Sequence, residues 1–345
     1  MSEHEAIRVS RAGGGWPSFV TRWWQGDFGL AGIALRVLMY PAQLAYRAVI
    51  AARNAGYDRG ILTVERGQLP VVSVGNISAG GTGKTPFAGW LVNALERRGA
   101  RPALLHGGYS SDEPALHQRW HPSVPVFAQR DRVASVRAAA AAGARIAVLD
   151  DGFQHRRLAR DVEIVLVAAE DWATRWRLLP IGPWREPASA LRRAGLIVVT
   201  RRTANHETAA RIAAQLRLRL RTCPVAIAWI RPIRWSRAGE VSPPPADPAL
   251  AVTGIARPEL FVENSAVAGA RVDELLAFPD HHRFTVDDVR RMQSIARGRP
   301  IVTTAKDAVK LARLEGAADV WVLEQTVEIE SGMTELMQMI DRIVP

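Results

Sequence analysis

"VGNISAGGTGKTP", residues 74–86, decides how this chain is read. It overlaps the apolar run "LPVVSVGN" (69–76), which has the composition of a buried strand. After it, Thr85 to Arg98 carries apolar residues at helical spacing. Strand, glycine loop and helix in that order make a phosphate cradle. Gly80, Gly81 and Gly83, with Thr82 among them, let backbone N–H groups turn inward, and the helix dipole favours negative charge. In such a loop Lys84 reaches the β- and γ-phosphates of a nucleotide, and the Thr85 hydroxyl ligates Mg²⁺. The usual pattern, G-x-x-x-x-G-K-[ST], asks for glycine where this chain has Ser78. A small residue serves there if its backbone stays in the allowed region. The dinucleotide fingerprint fails, because Pro86 stands at its third glycine position. A glycine-rich turn without chemistry is the plain alternative. It leaves unexplained why one of only three lysines, Lys84, stands here; the others are Lys306 and Lys310.

Outward from the loop, strand and helix patterns alternate. "RPALLHG", "RIAVLDD" (145–151), "VEIVLVAA" (162–169) and "GLIVVT" (195–200) are apolar runs of strand length, and Arg132 to Ala142 is helical. This predicts an α/β fold: a mostly parallel sheet flanked by helices. "EVSPPPADP" (240–248) reads as a linker. "ALAVTGIA", "RPIVTTAKD" and "VWVLEQTVEI" follow it as strands of a smaller α/β unit. The expected organisation is an amphipathic segment over 1–60, a phosphate-loop core over 61–239, and a C-terminal unit over 249–345.

"RIAVLDDGFQH" places Asp150 and Asp151 at the end of a buried strand, where ligands sit in open α/β sheets. A strand-end Asp beside a phosphate loop holds Mg²⁺, directly or through water. Adjacent carboxylates point to different sides, so one is expected to face the metal and the other a basic group.

Composition narrows the function. The chain has 345 residues and a net charge of +11, with basic residues spread along it rather than in blocks. That argues against nucleic acid as a partner. Cys223 is the only cysteine, which excludes a disulfide framework and a multi-thiolate metal site. No secretory signal is visible in the first fifteen residues. Residues 16–57 mix Trp, Leu, Ala and Tyr with spaced arginines, and no uncharged stretch reaches the roughly 18 residues of a membrane span. Two readings stay open: a helix lying in a membrane interface, with Trp16, Trp23 and Trp24 at the headgroup boundary, or an amphipathic helix packed on the protein's own core. Pro41 is expected to kink or divide it. His117, His121 and His206 read as ordinary surface or loop residues.

Taken together, "GNISAGGTGKTP", "SDEP" (111–114), "DDGFQH" (150–155), "LLPIGPWREP" (178–187), "FPDHH" (278–282) and "TTAKDAVKL" (303–311) resemble the lipid A 4′-kinase (tetraacyldisaccharide 4′-kinase) family over roughly residues 30–315. That family also lacks the first glycine of the loop. The resemblance implies transfer of the ATP γ-phosphate, with Mg²⁺, to a sugar hydroxyl of a lipid A disaccharide precursor at the cytoplasmic face of the inner membrane. It implies Lys84 and Thr85 at phosphates and metal, with Asp150 and Asp151 around the metal and γ-phosphate. Asp112 is then the catalytic base, supported by His281. Glu113 and Glu186 shape the nucleotide and metal site, Glu186 as a metal ligand, and Arg185 contacts phosphate. The chain departs from the family at "HGGYS" (106–110), with Gly107 where Arg is expected, in the near absence of the segment before the Asp-Glu-Pro, and at Ala305 in place of Glu. A P-loop ATPase switch without a small acceptor, and a pseudokinase that binds nucleotide for structure, are the alternative readings.

Overall fold

A computed structural model of the chain describes residues 7–11, 16–109, 111–172, 177–317 and 319–344. The side chains of residues 11, 16–18, 21 and 25 lie outside the description, and with them the expectation for Trp16. In chain order the elements are β1 (Arg8–Arg11), α1 (Trp16–Gln25), α2 (Gly29–Asp58), β2 (Val71–Asn76), α3 (Lys84–Glu96), β3 (Pro102–His106), α4 (Asp112–Trp120), β4 (Val126–Ala128), α5 (Arg132–Ala141), β5 (Ile146–Asp150) and β6 (Val162–Ala168). Then come β7 (Leu196–Arg201), α6 (His206–Arg219), β8 (Val225–Arg237), β9 (Glu240–Ser242), β10 (Ala249–Thr253), α7 (Pro258–Val267), β11 (Val272–Ala277), α8 (Val286–Ala296), β12 (Ile301–Thr304), α9 (Ala305–Leu311), β13 (Trp321–Ser331) and α10 (Met333–Asp341).

These form two compact units. The larger holds Thr21–Trp229 and the chain from Val327 onward; the smaller holds Ile230–Thr326 and the N-terminal strand. In the larger unit the strand order is β8-β7-β6-β2-β5-β3-β4, and every pair is parallel. Parallel strands must be buried on both faces, which explains the unbroken apolar runs of β2, β5 and β6. One face of β3 and β5 packs Ala103, Leu105, Ala147 and Leu149 against Val133, Val136 and Ala139 of α5. Each buried leucine or valine here contributes about 1.5–3 kcal/mol. Val74 of β2 pairs with Asp150 of β5, so the glycine loop and the acid pair leave the sheet at the same edge. At that edge β2 meets the loop after β5: a Cβ on Gly75 would lie 2.5 Å from the Phe153 Cβ and 2.7 Å from its backbone nitrogen.

The smaller unit has the order β1-β11-β10-β12-β13, again parallel. Its helices bury Leu250, Leu276, Phe278, Val289, Met292 and Leu311 in one cluster. Thr285 and Asp288 form the capping box that opens α8.

Several expectations change. The chain leaves the larger unit inside β8 and returns inside β13, not at residues 240–248. Within that presumed linker, Glu240–Ser242 is a strand, antiparallel to β8. Pro41 does not divide the helix. α2 runs through it, and the break lies before Gly29. Proline costs one hydrogen bond to the preceding turn, a loss the 30-residue helix absorbs along this exposed stretch. Trp23 is buried and donates to the Gly32 carbonyl, while Trp24 donates to that of Pro180. These two indoles therefore face the protein. The apolar stripe left outside is Leu30, Ile33, Val37, Leu38 and Leu44 of α2, with Leu30 85% exposed and Val37 70%. Among the described residues, no helix is long and apolar enough to cross a membrane.

Gly75→Ala forces a Cβ onto backbone atoms that cannot step aside. It is expected to cost on the order of 1–3 kcal/mol and to lower the urea midpoint of the larger unit. An unchanged midpoint would contradict the close approach of β2 and Phe153.

Candidate active site

The loop after β2 is built as its glycines require. Gly80 (φ 123°) and Gly83 (φ 89°) adopt left-handed conformations that disfavour a side chain, and Gly83 caps α3. Ser78 is not among the described residues with positive φ; it is nearly buried and forms an isolated antiparallel bridge with Trp184. A residue without a positive φ needs no glycine, so the mismatch at this position carries no left-handed strain. Thr82 is buried, with its hydroxyl held by the Asn76 amide at 2.8 Å and its carbonyl by the Thr200 hydroxyl at 2.8 Å. Arg202 donates to the Gly81 carbonyl.

Lys84, the first residue of α3, faces the acid pair: its Nζ lies 3.7 Å from Asp151 Oδ1. Asp151 sits at φ 61° and accepts from Arg185 Nη1 through both oxygens at 3.1 Å. Burial opposes the charge on Asp151, but Lys84 and Arg185 outweigh it and hold the carboxyl below its ordinary range. Asp150 is met differently. Its Oδ2 pairs with His117 Nε2 at 3.0 Å, and its Oδ1 is buried with no hydrogen-bond partner. Such an orphaned oxygen beside a phosphate loop fits a divalent cation; Thr85 follows Lys84 in the first turn of α3.

Glu186 does not fit the metal role expected of it. It is fully buried, and both oxygens are engaged: Arg193 donates at 2.8 and 2.9 Å, Asn54 at 2.8 Å and Gln154 at 3.2 Å. Burial pushes its pKa up, yet these donors bring it below the usual value. It ties α2 to the segments after β5 and β6. Tyr46 of α2 adds a hydrogen bond to the Arg185 carbonyl.

Asp112 opens α4, is buried, and accepts from the Glu113 backbone N–H. Glu113 Oε2 lies 2.8 Å from His106 Nε2. Gly108 N–H donates to His106 Nδ1, so the proton sits on Nε2 and is donated to Glu113. His281 belongs to the smaller unit. There it has φ 58°, with its Nε2 3.4 Å from Lys306 Nζ and 3.8 Å from Asp280 Oδ2. His282, its neighbour, bonds the α8 capping residue Asp288 at 3.0 Å.

Three residues escape the sequence reading. His117 and His121 are buried, not superficial, and His117 contacts an acid of the site. Glu113, His117, Trp120 and His121 recur at helical spacing, which is the signal that marks a buried face. Arg132, at the start of α5, is also buried, with Nε and Nη2 lacking partners. Burial lowers its pKa, against the charges of Tyr109, Asp151 and Asp150. A Cβ at Gly107 would lie 2.1 Å from the Tyr109 ring and 2.9 Å from Arg132 Nη2. The space beside residue 107 is thus filled by Tyr109 and a guanidinium from another element. Tyr109 in turn hydrogen-bonds His155 at 2.9 Å.

A parallel sheet, a glycine loop opening a helix, and a strand-end acid pair facing its lysine define an α/β protein of P-loop kinase type. A family model for tetraacyldisaccharide-1-P 4′-kinases matches residues 35–111 and 110–344, and the chain belongs to that family. It is 38% identical over 335 residues to a tetraacyldisaccharide 4′-kinase of Anaeromyxobacter sp. (strain K), covering 86% of this chain and 87% of that one. It is 37% identical over 320 residues to one of Halorhodospira halophila, covering 87% and 90%. The crystal structure of an "apo" form of LpxK from Aquifex aeolicus in complex with ATP superposes with a TM-score of 0.71 at 28% identity, over 90% of this chain and all of that one.

His155 is pushed down to about 4, by burial first and the Arg132 charge second. An unfolded chain takes up this proton near pH 6.5. Between pH 6.5 and 4 the unfolded state therefore binds more protons, and stability falls as pH drops through that window. Above it the contribution is constant. The stability difference between wild type and His155→Gln, followed by urea unfolding, is expected to shrink from pH 7 to pH 4. A pH-independent difference would place His155 in an ordinary environment.

Proposed function

We propose that this chain transfers the γ-phosphoryl group of ATP to the 4′-hydroxyl of a tetraacyldisaccharide 1-phosphate, a lipid A precursor, at the cytoplasmic face of the inner membrane. The observation that carries this reading is the facing of Lys84 and Asp151 across the mouth of the phosphate loop, with Asp150 beside them. Phosphoryl transfer asks a protein for positioning and charge neutralisation more than for covalent help. The loop N–H groups and Lys84 hold the β- and γ-phosphates. Arg185 donates to the same Asp151 that Lys84 faces and is assigned to contact phosphate on the family resemblance. Asp150 and Thr85 are the residues that would hold Mg²⁺, which when bound neutralises charge on the phosphate oxygens. Asp112 accepts the proton of the acceptor hydroxyl as its oxygen bonds to phosphorus and the bond to ADP breaks. His281 is assigned to assist that base, and Glu113 to shape the nucleotide site, on the family resemblance. Arg132, with two unpartnered nitrogens, adds positive charge for an anionic oxygen.

Incubation with labelled ATP and total membrane lipid tests the reaction. The wild type should label one glycolipid, and Lys84→Ala should remove nearly all transfer. Lys84→Arg should fail too, since a planar fork replaces a compact ammonium. Activity within a few-fold of wild type in either variant excludes the loop assignment, and ATP hydrolysis that proceeds equally well without lipid favours a switch. In the same assay Asp112→Ala and His281→Ala should each lower kcat by roughly 10²–10⁴. Their double variant should lose little more than the worse single one, and losses that multiply would give the two residues separate jobs.

The membrane reading rests on the exposed stripe of α2 and the arginines around it. Replacing Leu30, Val37 and Leu38 by glutamate should release the protein from anionic liposomes without weakening ATP binding, because none of the three contacts the loop. Flotation unchanged by the triple variant would move membrane attachment elsewhere.

A further inference from the structure

We infer that His117 is a positioning residue for the cation site: it holds one oxygen of Asp150 from inside the protein and leaves the other available. The inference rests on the reading of Asp150 as the residue that holds Mg²⁺. His117 lies on α4, the helix whose first turn carries Asp112 and Glu113. Its side chain is wholly buried, as is that of Asp150, and water does not compete for the 3.0 Å bond between Nε2 and Oδ2. The ring is fixed on two sides, by the edge of Trp120 at 5.7 Å and the stacked ring of His121 at 6.3 Å.

The three acids of this region are held by different chemistry. Asp151 meets a lysine and an arginine, and Glu186 meets an arginine. Those cations cancel the negative charge that a divalent ion would need. Asp150 is held by an imidazole N–H, whose other nitrogen, Nδ1, is buried without a partner and has no acceptor for a second proton. A hydrogen bond from one N–H fixes the carboxylate's rotation and leaves Oδ1 with its charge. This is the arrangement by which outer residues orient metal-binding carboxylates, and its loss typically costs 10- to 100-fold in metal affinity.

The test uses the full chain, a non-hydrolysable ATP analogue and Mn²⁺, whose binding is read by electron paramagnetic resonance. His117→Leu removes the donor and should weaken Mn²⁺ about 10-fold or more. His117→Gln places an amide N–H near the position of Nε2 and should stay within a few-fold of wild type. Analogue affinity in EDTA should be unchanged in both, which a merely structural role of His117 would not predict alongside the Mn²⁺ loss. Should His117→Leu not fold, His117→Asn reads the same quantity, because its amide stops short of Asp150. Wild-type Mn²⁺ affinity in the Leu or Asn variant, with the loss confined to Asp150→Asn, overturns the role of His117 and leaves Asp150 as ligand. Wild-type affinity in Asp150→Asn itself overturns both.

Discussion

Buried negative charge at the edge of a parallel sheet is the constraint on which the rest of this site depends. An ionised carboxylate out of water costs several kcal/mol unless it is paired and hydrogen-bonded. Here Asp150, Asp151 and Glu186 are all withdrawn from solvent near the phosphate loop. Each therefore dictates a partner. Glu186 takes Arg193, Asn54 and Gln154; Asp151 takes Lys84 and Arg185; Asp150 takes His117. Those partners come from α2, α3, α4 and the segments after β5 and β6. Holding three buried carboxylates thus joins most of the functional elements of the larger unit, and the bond to Asp151 orients the lysine of the loop.

α2 links this network to the surface. At a rise of 1.5 Å per residue its 30 residues extend for about 45 Å. Its first half presents the apolar stripe from Leu30 to Leu44, and its second half enters the site through Tyr46 and Asn54. The two halves are continuous because Pro41 falls where the helix is exposed. A rigid helix with an apolar outer face and a polar inner one gives a proposed lipid-surface contact a fixed distance from the phosphate loop. Of the two readings that its sequence left open, the structure shows the inner one, through Tyr46 and Asn54, while the exposed outer stripe is what supports the proposed membrane contact.

Much of the fold is legible in the sequence, because parallel strands announce themselves as continuous apolar runs. β2, β3, β5, β6, β7, β10, β12 and β13 coincide with such runs. β8 does not, since Pro232 and its arginines break the pattern. In the structure Pro232 falls between the stretch paired with β7 and the stretch paired with β9, where a missing N–H is tolerated. Among site residues, those on the loop and the strand end are legible because backbone geometry dictates residue type there. The Lys84–Asp151 pairing follows from two adjacent strands ending together. Partners reached through side chains are not legible in the same way. The helical spacing around His117 marks a buried face but not the acid it meets 33 residues further on, nothing local to Arg132 marks its burial, and Glu186, a ligand by family resemblance, is seen to be occupied by Arg193.

The departures from the expected motifs differ in physical kind. Ser78 stands where the general phosphate-loop pattern, though not this family, has glycine; it lacks a positive φ and is bridged to Trp184, so the loop turns at Gly80 and Gly83 instead. Gly107 replaces an arginine, and there the missing quantity is charge. The structure puts the Arg132 guanidinium against that position, brought from the first turn of α5 and held by the Gln129 carbonyl at 2.8 Å. Tyr109, stacked near His155, closes the remaining space. A motif compares residues by position in the chain, whereas a phosphate responds only to which charge occupies which volume. On that measure the chain departs less at residue 107 than the motif alone implies.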